Sequence, residues 1–291
     1  MPQCNDLVPT DVKPGNEARV CWRRGENVRT EVALLFLHGF TASPGECGDL
    51  PDSMAAELDA NLYIHRWPGH GLRSPDALQG LTLDLLQASA LSALSKAAEL
   101  GDNVVIVGSS LGASLGLWLA SVRVAEVAAV VAWSPGVRPA HPVLLDQLCA
   151  AHQPVTDPRP RTADVLAYWS QTVHPDGYRA LRSLLDSFAH APPWPRVVCP
   201  VYLGFYRAPD GEQDQTASVA AMLDMFDALG TAPALKQAMP FASAAHSIGS
   251  PYKSALAAEV ARASVAFVAS KVMAFASRDH PPYRAPSDRD D

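Results

Sequence analysis

No stretch of this sequence approaches the roughly 20 consecutive apolar residues that a membrane-spanning helix requires. The first residues, Met1-Pro-Gln-Cys-Asn-Asp, have neither the basic start nor the apolar centre of a secretory signal, so a cytoplasmic location is expected. Positive charge is also scarce. Lys and Arg number 23 against 30 Asp and Glu, a formal net charge of -7, which argues against an electrostatic hold on nucleic acid or an anionic membrane. The five cysteines (Cys4, Cys21, Cys47, Cys149, Cys199) are scattered, with no Cys-x-x-Cys and no Cys/His spacing. That pattern predicts reduced thiols rather than disulfides or zinc ligands. No Gly-Lys-Ser or Gly-Lys-Thr follows a glycine-rich turn, which excludes a phosphate loop.

What is present is an alternation of short apolar runs and longer helical stretches, the pattern of a parallel sheet covered on both faces. The runs at 32–37, 61–65, 104–107, 127–133, 201–206 and 234–239 read as core strands, and 18–22 as an antiparallel edge. Residues 81–100 read as a helix with Leu85, Ala88, Leu91 and Ser95 at helical spacing on its contact face. Another helix is expected after the first core strand, where Ser43 would cap, Pro44 would occupy the first turn and Glu46 would bond back to the cap. Between Arg138 and Pro195 the rhythm breaks into a segment rich in Pro, His, Arg, Trp and Tyr, with amphipathic stretches at 143–151, 162–171 and 177–188. In the last of these Leu181, Leu184, Leu185 and Phe188 share one face and need a surface to cover. The expected organisation is a core formed by 1–137 and 196–276, a helical cap insertion at 138–195, and a disordered charged tail at 277–291.

The most informative stretch is "VVIVGSSLGAS", residues 104–114. A β-branched run that stops at a serine boxed in by glycines predicts a strand turning directly into a helix. Ser110 would sit at a strained apex, with Gly108 and Gly112 removing the Cβ atoms that would collide. A serine hydroxyl is a weak nucleophile and needs a base, an acid to orient that base, and donors for the oxyanion. Of nine histidines, His246 sits just after the last predicted strand, in "PFASAAHSIGS", where α/β sheets place functional groups. His38 and His70 lie in glycine-flanked turns, His65 in a strand, His141, His152, His174 and His190 in the insertion, and His280 in the tail. For the acid, Asp210, Glu212 and Asp214 are all eligible by chemistry, with Asp214 favoured and Asp210 its main rival. The oxyanion donors are expected to be the backbone amides of Leu111, at the start of the helix, and Phe40, in the turn "LHGFTASP".

Taken together, "LLFLHGFTASPGE", "RWPGHGLRS", "VIVGSSLGAS", "EQDQTASV" and "AAHSIGS" resemble the α/β-hydrolase superfamily. Within it the chain is similar to the capped carboxylesterase and monoacylglycerol-lipase-like group of serine aminopeptidase S33-type hydrolases. The resemblance runs from about Val32 to Ala269 and implies an α/β-hydrolase fold, a mostly parallel sheet with helices on both faces and a helical cap. It implies Ser110 as nucleophile, Asp214 as acid, His246 as base, and Phe40 and Leu111 as oxyanion amides, in the chain order Ser, Asp, His. His70, in the Pro-Gly-His-Gly turn, matches a structural position. The acid loop, "FYRAPDGEQDQ", is longer than the family's usual form. The implied activity is cleavage of small carboxylic esters, of short- to medium-chain or monoacylglycerol-like type, without metal or organic cofactor. A non-catalytic protein binding a small apolar ligand, or a thioesterase or peptidase, are the alternatives. Leu144, Leu145, Leu148, Tyr168, Trp169 and Phe188 line the substrate pocket or pack the cap helices against one another.

Overall fold

The computed structural model describes residues 3–7 and 11–273, so the tail expected at 277–291 lies outside the described residues. In chain order the elements are β1 (Gln3–Leu7), β2 (Ala18–Trp22), β3 (Thr30–Leu37), α1 (Leu50–Glu57), β4 (Asn61–His65), α2 (Leu83–Ala98), β5 (Gly101–Ser109), α3 (Leu111–Val122) and β6 (Val127–Trp133). There follow α4 (Pro142–Ala150), β7 (Val155–Thr156), α5 (Ala163–Tyr168), β8 (Thr172–Val173), α6 (Pro175–His190), β9 (Val201–Tyr206), α7 (Val219–Asp227), β10 (Lys236–Phe241) and α8 (Ala257–Val268).

Eight strands form one sheet in the order β1-β2-β4-β3-β5-β6-β9-β10. The six from β4 to β10 run parallel, while β1 and β2 form an antiparallel edge. Continuous apolar runs arise because both sheet faces are buried. With side chains alternating across the pleat, Ala33, Leu35, Leu37, Val104 and Ile106 enter one core with α2, α3 and α7, whereas Val32, Leu34, Phe36, Val105 and Val107 enter the other with α1 and α8. Each of the Val, Leu, Ile and Phe side chains among them, fully buried, contributes about 1.5–3 kcal/mol.

The strands fall where the apolar runs place them, β10 starting two residues late because Pro233–Leu235 forms a 3-10 turn. The contact face of α2 differs from expectation. Leu86, Ala90, Ala93, Leu94 and Ala97 are its buried residues, and Leu85 is 47% exposed. Both stripes repeat at helical spacing, and only the packing against the sheet chooses between them. The cysteine expectation is also corrected, since Cys21 is disulfide-bonded, while Cys47, Cys149 and Cys199 are free. The register of β1 on β2, which sets Cys4 opposite Cys21, is the part the sequence concealed, because Gln3–Leu7 has no apolar alternation.

Segment 138–195 adds no strand to the large sheet. β7 and β8 pair with each other, and α6 lays Ala180, Leu184, Leu185 and Phe188 on the α2–α3 side of the core. No helix among the described residues is long and apolar enough to cross a membrane.

Candidate active site

One residue separates β5 from α3. Ser110 adopts φ 50°, ψ -110°, a left-handed conformation that costs a non-glycine residue about 1–3 kcal/mol and persists only where its surroundings enforce it. The enforcement is visible. A Cβ at Gly112 would meet the Leu37 carbonyl oxygen at 1.9 Å, and one at Gly108 would meet the Ala113 amide nitrogen at 2.4 Å, so helix and strands approach to a distance only glycine permits. The Ser110 amide donates to the Trp133 carbonyl at 2.8 Å, tying the turn to β6. The Ser114 hydroxyl lies 3.0 Å from the Ser110 carbonyl and 2.8 Å from that of Gly136, within donating reach of both. Sequence reasoning missed Ser114, whose position four residues into the helix resembles that of any small packing residue.

His246 sits in the loop between β10 and α8. Its Nε2 is 2.8 Å from Ser110 Oγ and its Nδ1 is 2.5 Å from Asp214 Oδ2. One tautomer satisfies both contacts, with the serine hydroxyl donating to Nε2 and Nδ1–H donating to the carboxylate. Asp214, whose side chain is wholly buried, also accepts at Oδ1 from the amides of Thr216 (2.7 Å) and Ala217 (3.1 Å). Burial pushes its pKa up, but the His246 charge and hydrogen bond and the two amides outweigh it, and the carboxyl is held below its ordinary value. Asp210 is exposed and caps its own turn by accepting from the Glu212 amide. The length of the loop after β9 has a simple cause: Arg207 bridges Gln213 in a small hairpin with Asp210 and Gly211 at its tip, which returns the chain so that Asp214 points inward.

Neither the Phe40 nor the Leu111 amide donates to another group among the described residues. The turn carrying Phe40 lies against the elbow, since a Cβ on Gly39 would come within 3.5 Å of Ser110 Cβ. The Phe40 ring packs edge-on against His70 (6.1 Å between centroids) and against Tyr178 of α6 (5.6 Å), so segment 138–195 helps to set the turn. Glu46 does not bond back to a helix cap as expected. Ser43 makes no side-chain cap and instead donates to the Tyr168 carbonyl at 2.9 Å, while Glu46, 1% exposed, accepts the Gly39 amide at 2.8 Å. The four-residue 3-10 turn Pro44–Cys47 aims the carboxyl inward rather than along a helix axis.

The other histidines away from the tail stand apart from this line. His65 lies between the Tyr63 and Ser89 hydroxyls and is pushed by burial to about 3, and His70 is likewise buried and pushed to about 4. The nitrogens of His38 are taken up by the Trp67 amide and the Gly39 carbonyl. Among the described residues no cluster of three or more His, Cys, Asp or Glu side chains could hold a metal ion. A cavity of about 430 Å³ lies among α4, α6 and α7, with Val137, Leu185, Phe188 and Met225 on its walls, and does not reach Ser110, Asp214 or His246. Of the aromatic and aliphatic residues expected either to line a pocket or to pack, Leu145, Trp169 and Phe188 are buried in packing clusters and Leu144 is 53% exposed.

A doubly covered, mostly parallel sheet that carries a serine on a strand–helix elbow defines the class of this protein. The chain belongs to the alpha/beta hydrolase family, whose profile matches residues 34–289. Among solved structures it is similar to one described with LipS and LipT, two metagenome-derived lipolytic enzymes, at TM-score 0.74 and 19% identity over 89% of this chain and 99% of that one. It is also similar to the monoacylglycerol lipase of Paleococcus ferrophilus (TM-score 0.63, 18% identity, 93% and 99% covered). A soluble variant of the monoglyceride lipase of Saccharomyces cerevisiae, in complex with a substrate analogue, aligns at TM-score 0.68 and 12% identity, with 93% and 97% covered. At these identities the likeness is one of fold. No curated protein matches the sequence.

Proposed function

We propose that this protein is a serine hydrolase that cleaves small carboxylic esters, of short- to medium-chain acyl or monoacylglycerol-like type, through an acyl-enzyme. The observation that carries the reading is the unbroken line from Ser110 Oγ through the His246 ring to buried Asp214. As Ser110 Oγ attacks the ester carbonyl, its proton passes to His246 Nε2. Asp214 stabilises the resulting imidazolium and holds its tautomer. The carbonyl oxygen, now anionic, is received by the free amides of Phe40 and Leu111, the second lying at the positive end of the α3 dipole. Collapse breaks the ester bond, and the imidazolium proton leaves with the alcohol. Water then gives a proton to His246 and its oxygen to the acyl carbon, releasing the acid and restoring Ser110.

In this reading residues 138–195 are a helical cap on a core made of 1–137 and 196–276, and Phe40–Tyr178 is one of its points of attachment. The lipolytic and monoacylglycerol-lipase structures of like fold support ester cleavage over other uses of the same groups. The test is hydrolysis of p-nitrophenyl esters from acetate to palmitate by wild type and Ser110→Ala together. Wild-type turnover lost in the variant is expected, with the chain-length optimum measuring the pocket. Turnover retained by Ser110→Ala would remove Ser110 from the nucleophile role.

A further inference from the structure

A buried carboxyl that this mechanism does not use lies under the oxyanion turn. Glu46 Oε1 accepts the Gly39 amide, one residue before Phe40. Its Oε2 is buried and makes no hydrogen bond of normal geometry. That oxygen faces the elbow. It lies 3.2 Å from the point where a Gly39 Cβ would stand, and Ser110 Cβ lies 3.5 Å from the same point. No cation pairs with Glu46 among the described residues, and an unpaired carboxylate in a dry site is costly enough that the group takes up a proton instead.

Resting on the serine-hydrolase reading above, we propose that Glu46 is a positioning residue of the oxyanion turn that works as the neutral acid. Its Oε1 fixes the Gly39–Phe40 backbone, and loss of its proton sets an unpaired negative charge beside the oxyanion that develops on the substrate.

Burial pushes the Glu46 carboxyl up to about 8, with the Gly39 amide and the Ser109 side chain pulling the other way. The titratable groups around it come from several elements. Cys47 adjoins it in the same turn, and its thiol is driven well above the ordinary range by burial and by Glu46 itself. His38 and His70 lie behind the turn, held low by burial. Ser110, whose hydroxyl contacts His246, lies on its elbow side, and Tyr168 of α5 lies against Gly45 with Tyr252 stacked upon it. Burial raises Tyr252 to about 12. Glu46, buried beside the elbow and without a cation among the described residues, is thus placed to change charge just above neutrality.

The test compares wild type with Glu46→Gln, which retains an acceptor for the Gly39 amide and cannot ionise, and with Glu46→Ala, which removes the acceptor. Wild-type kcat/KM for p-nitrophenyl butyrate is expected to fall by roughly 10- to 50-fold above about pH 8, the scale of a unit charge a few ångströms from the oxyanion, and Glu46→Gln to lack that descent. Glu46→Ala is expected to lose about 10²-fold in kcat with little change in KM, because a displaced donor harms the transition state alone. Melting supplies a readout independent of turnover. A carboxyl whose pKa is higher folded than unfolded loses its stabilising contribution as pH rises between the two values. The melting temperature of Glu46→Gln should therefore gain on wild type from about pH 5 to pH 8 and then level off. A flat melting difference, or an alkaline descent that persists in Glu46→Gln, would overturn the proposal. Failure of the hydrolase reading appears separately, as ester cleavage that survives Ser110→Ala.

Discussion

The elbow at Ser110 and the loop at Asp214 deliver side chains to the same histidine by opposite means. The elbow has no slack: one residue joins strand to helix, and two glycines admit backbone contacts that any side chain would block. The loop at Asp214 has slack to spare and spends it in a surface hairpin, so that Asp214 is held by the amides of Thr216 and Ala217 and by His246 rather than by steric necessity. Crowding constrains residue type at Gly108 and Gly112 on either side of the elbow serine. The loop constrains only the residue that ends inside.

The largest effect that would test this contrast is on turnover. Ser110→Ala is expected to lower kcat by roughly 10⁴- to 10⁶-fold. Next, Asp214→Asn is expected to lower kcat by about 10⁴-fold through the wrong histidine tautomer, with Asp210→Asn close to wild type. The reverse ranking, read in the same ester assay, would place the acid at the hairpin tip.

Stability separates the two regions further. In thermal melts Gly112→Ala, whose Cβ would meet the Leu37 carbonyl oxygen at 1.9 Å, is expected to cost about 3 kcal/mol or more. Gly211→Ala, at φ 96° with open space around it, is expected to cost about 1–2 kcal/mol from backbone strain alone. Equal losses would mean that the elbow is not sterically enforced. The smallest effect is on pH dependence. Because the Asp214 carboxyl titrates below its ordinary value when folded, its contribution is present above the unfolded pKa and is lost as pH falls through the folded one. The melting difference between wild type and Asp214→Asn should accordingly shrink below about pH 4.

These contrasts explain which parts of the molecule could be read in advance. Glycine spacing around Ser110 was legible because a collision leaves a mark on local sequence, and His246 because a loop after the last strand can be counted along the chain. Asp214 was distinguishable from Asp210 only on the likeness of its surroundings to a known pattern; nothing about a carboxylate in a loop tells which one turns inward. Glu46 was expected to bond back to a Ser43 cap, since Ser-Pro-Gly-Glu carries a capping pattern. The short 3-10 turn and the contact of Tyr168 with Gly45 redirect it.

The linear chain by itself determined the alternation of strand and helix, the doubly buried sheet and the strained serine turn, because each follows from periodicity or from atoms within a few residues of one another. The tertiary structure decided which stripe of α2 packs, that β1 sets Cys4 opposite Cys21, how segment 138–195 lies on the core, and which carboxyls lose water. Burial and partnership are properties of groups far apart in sequence, and a side chain acquires them only when folding removes its solvent.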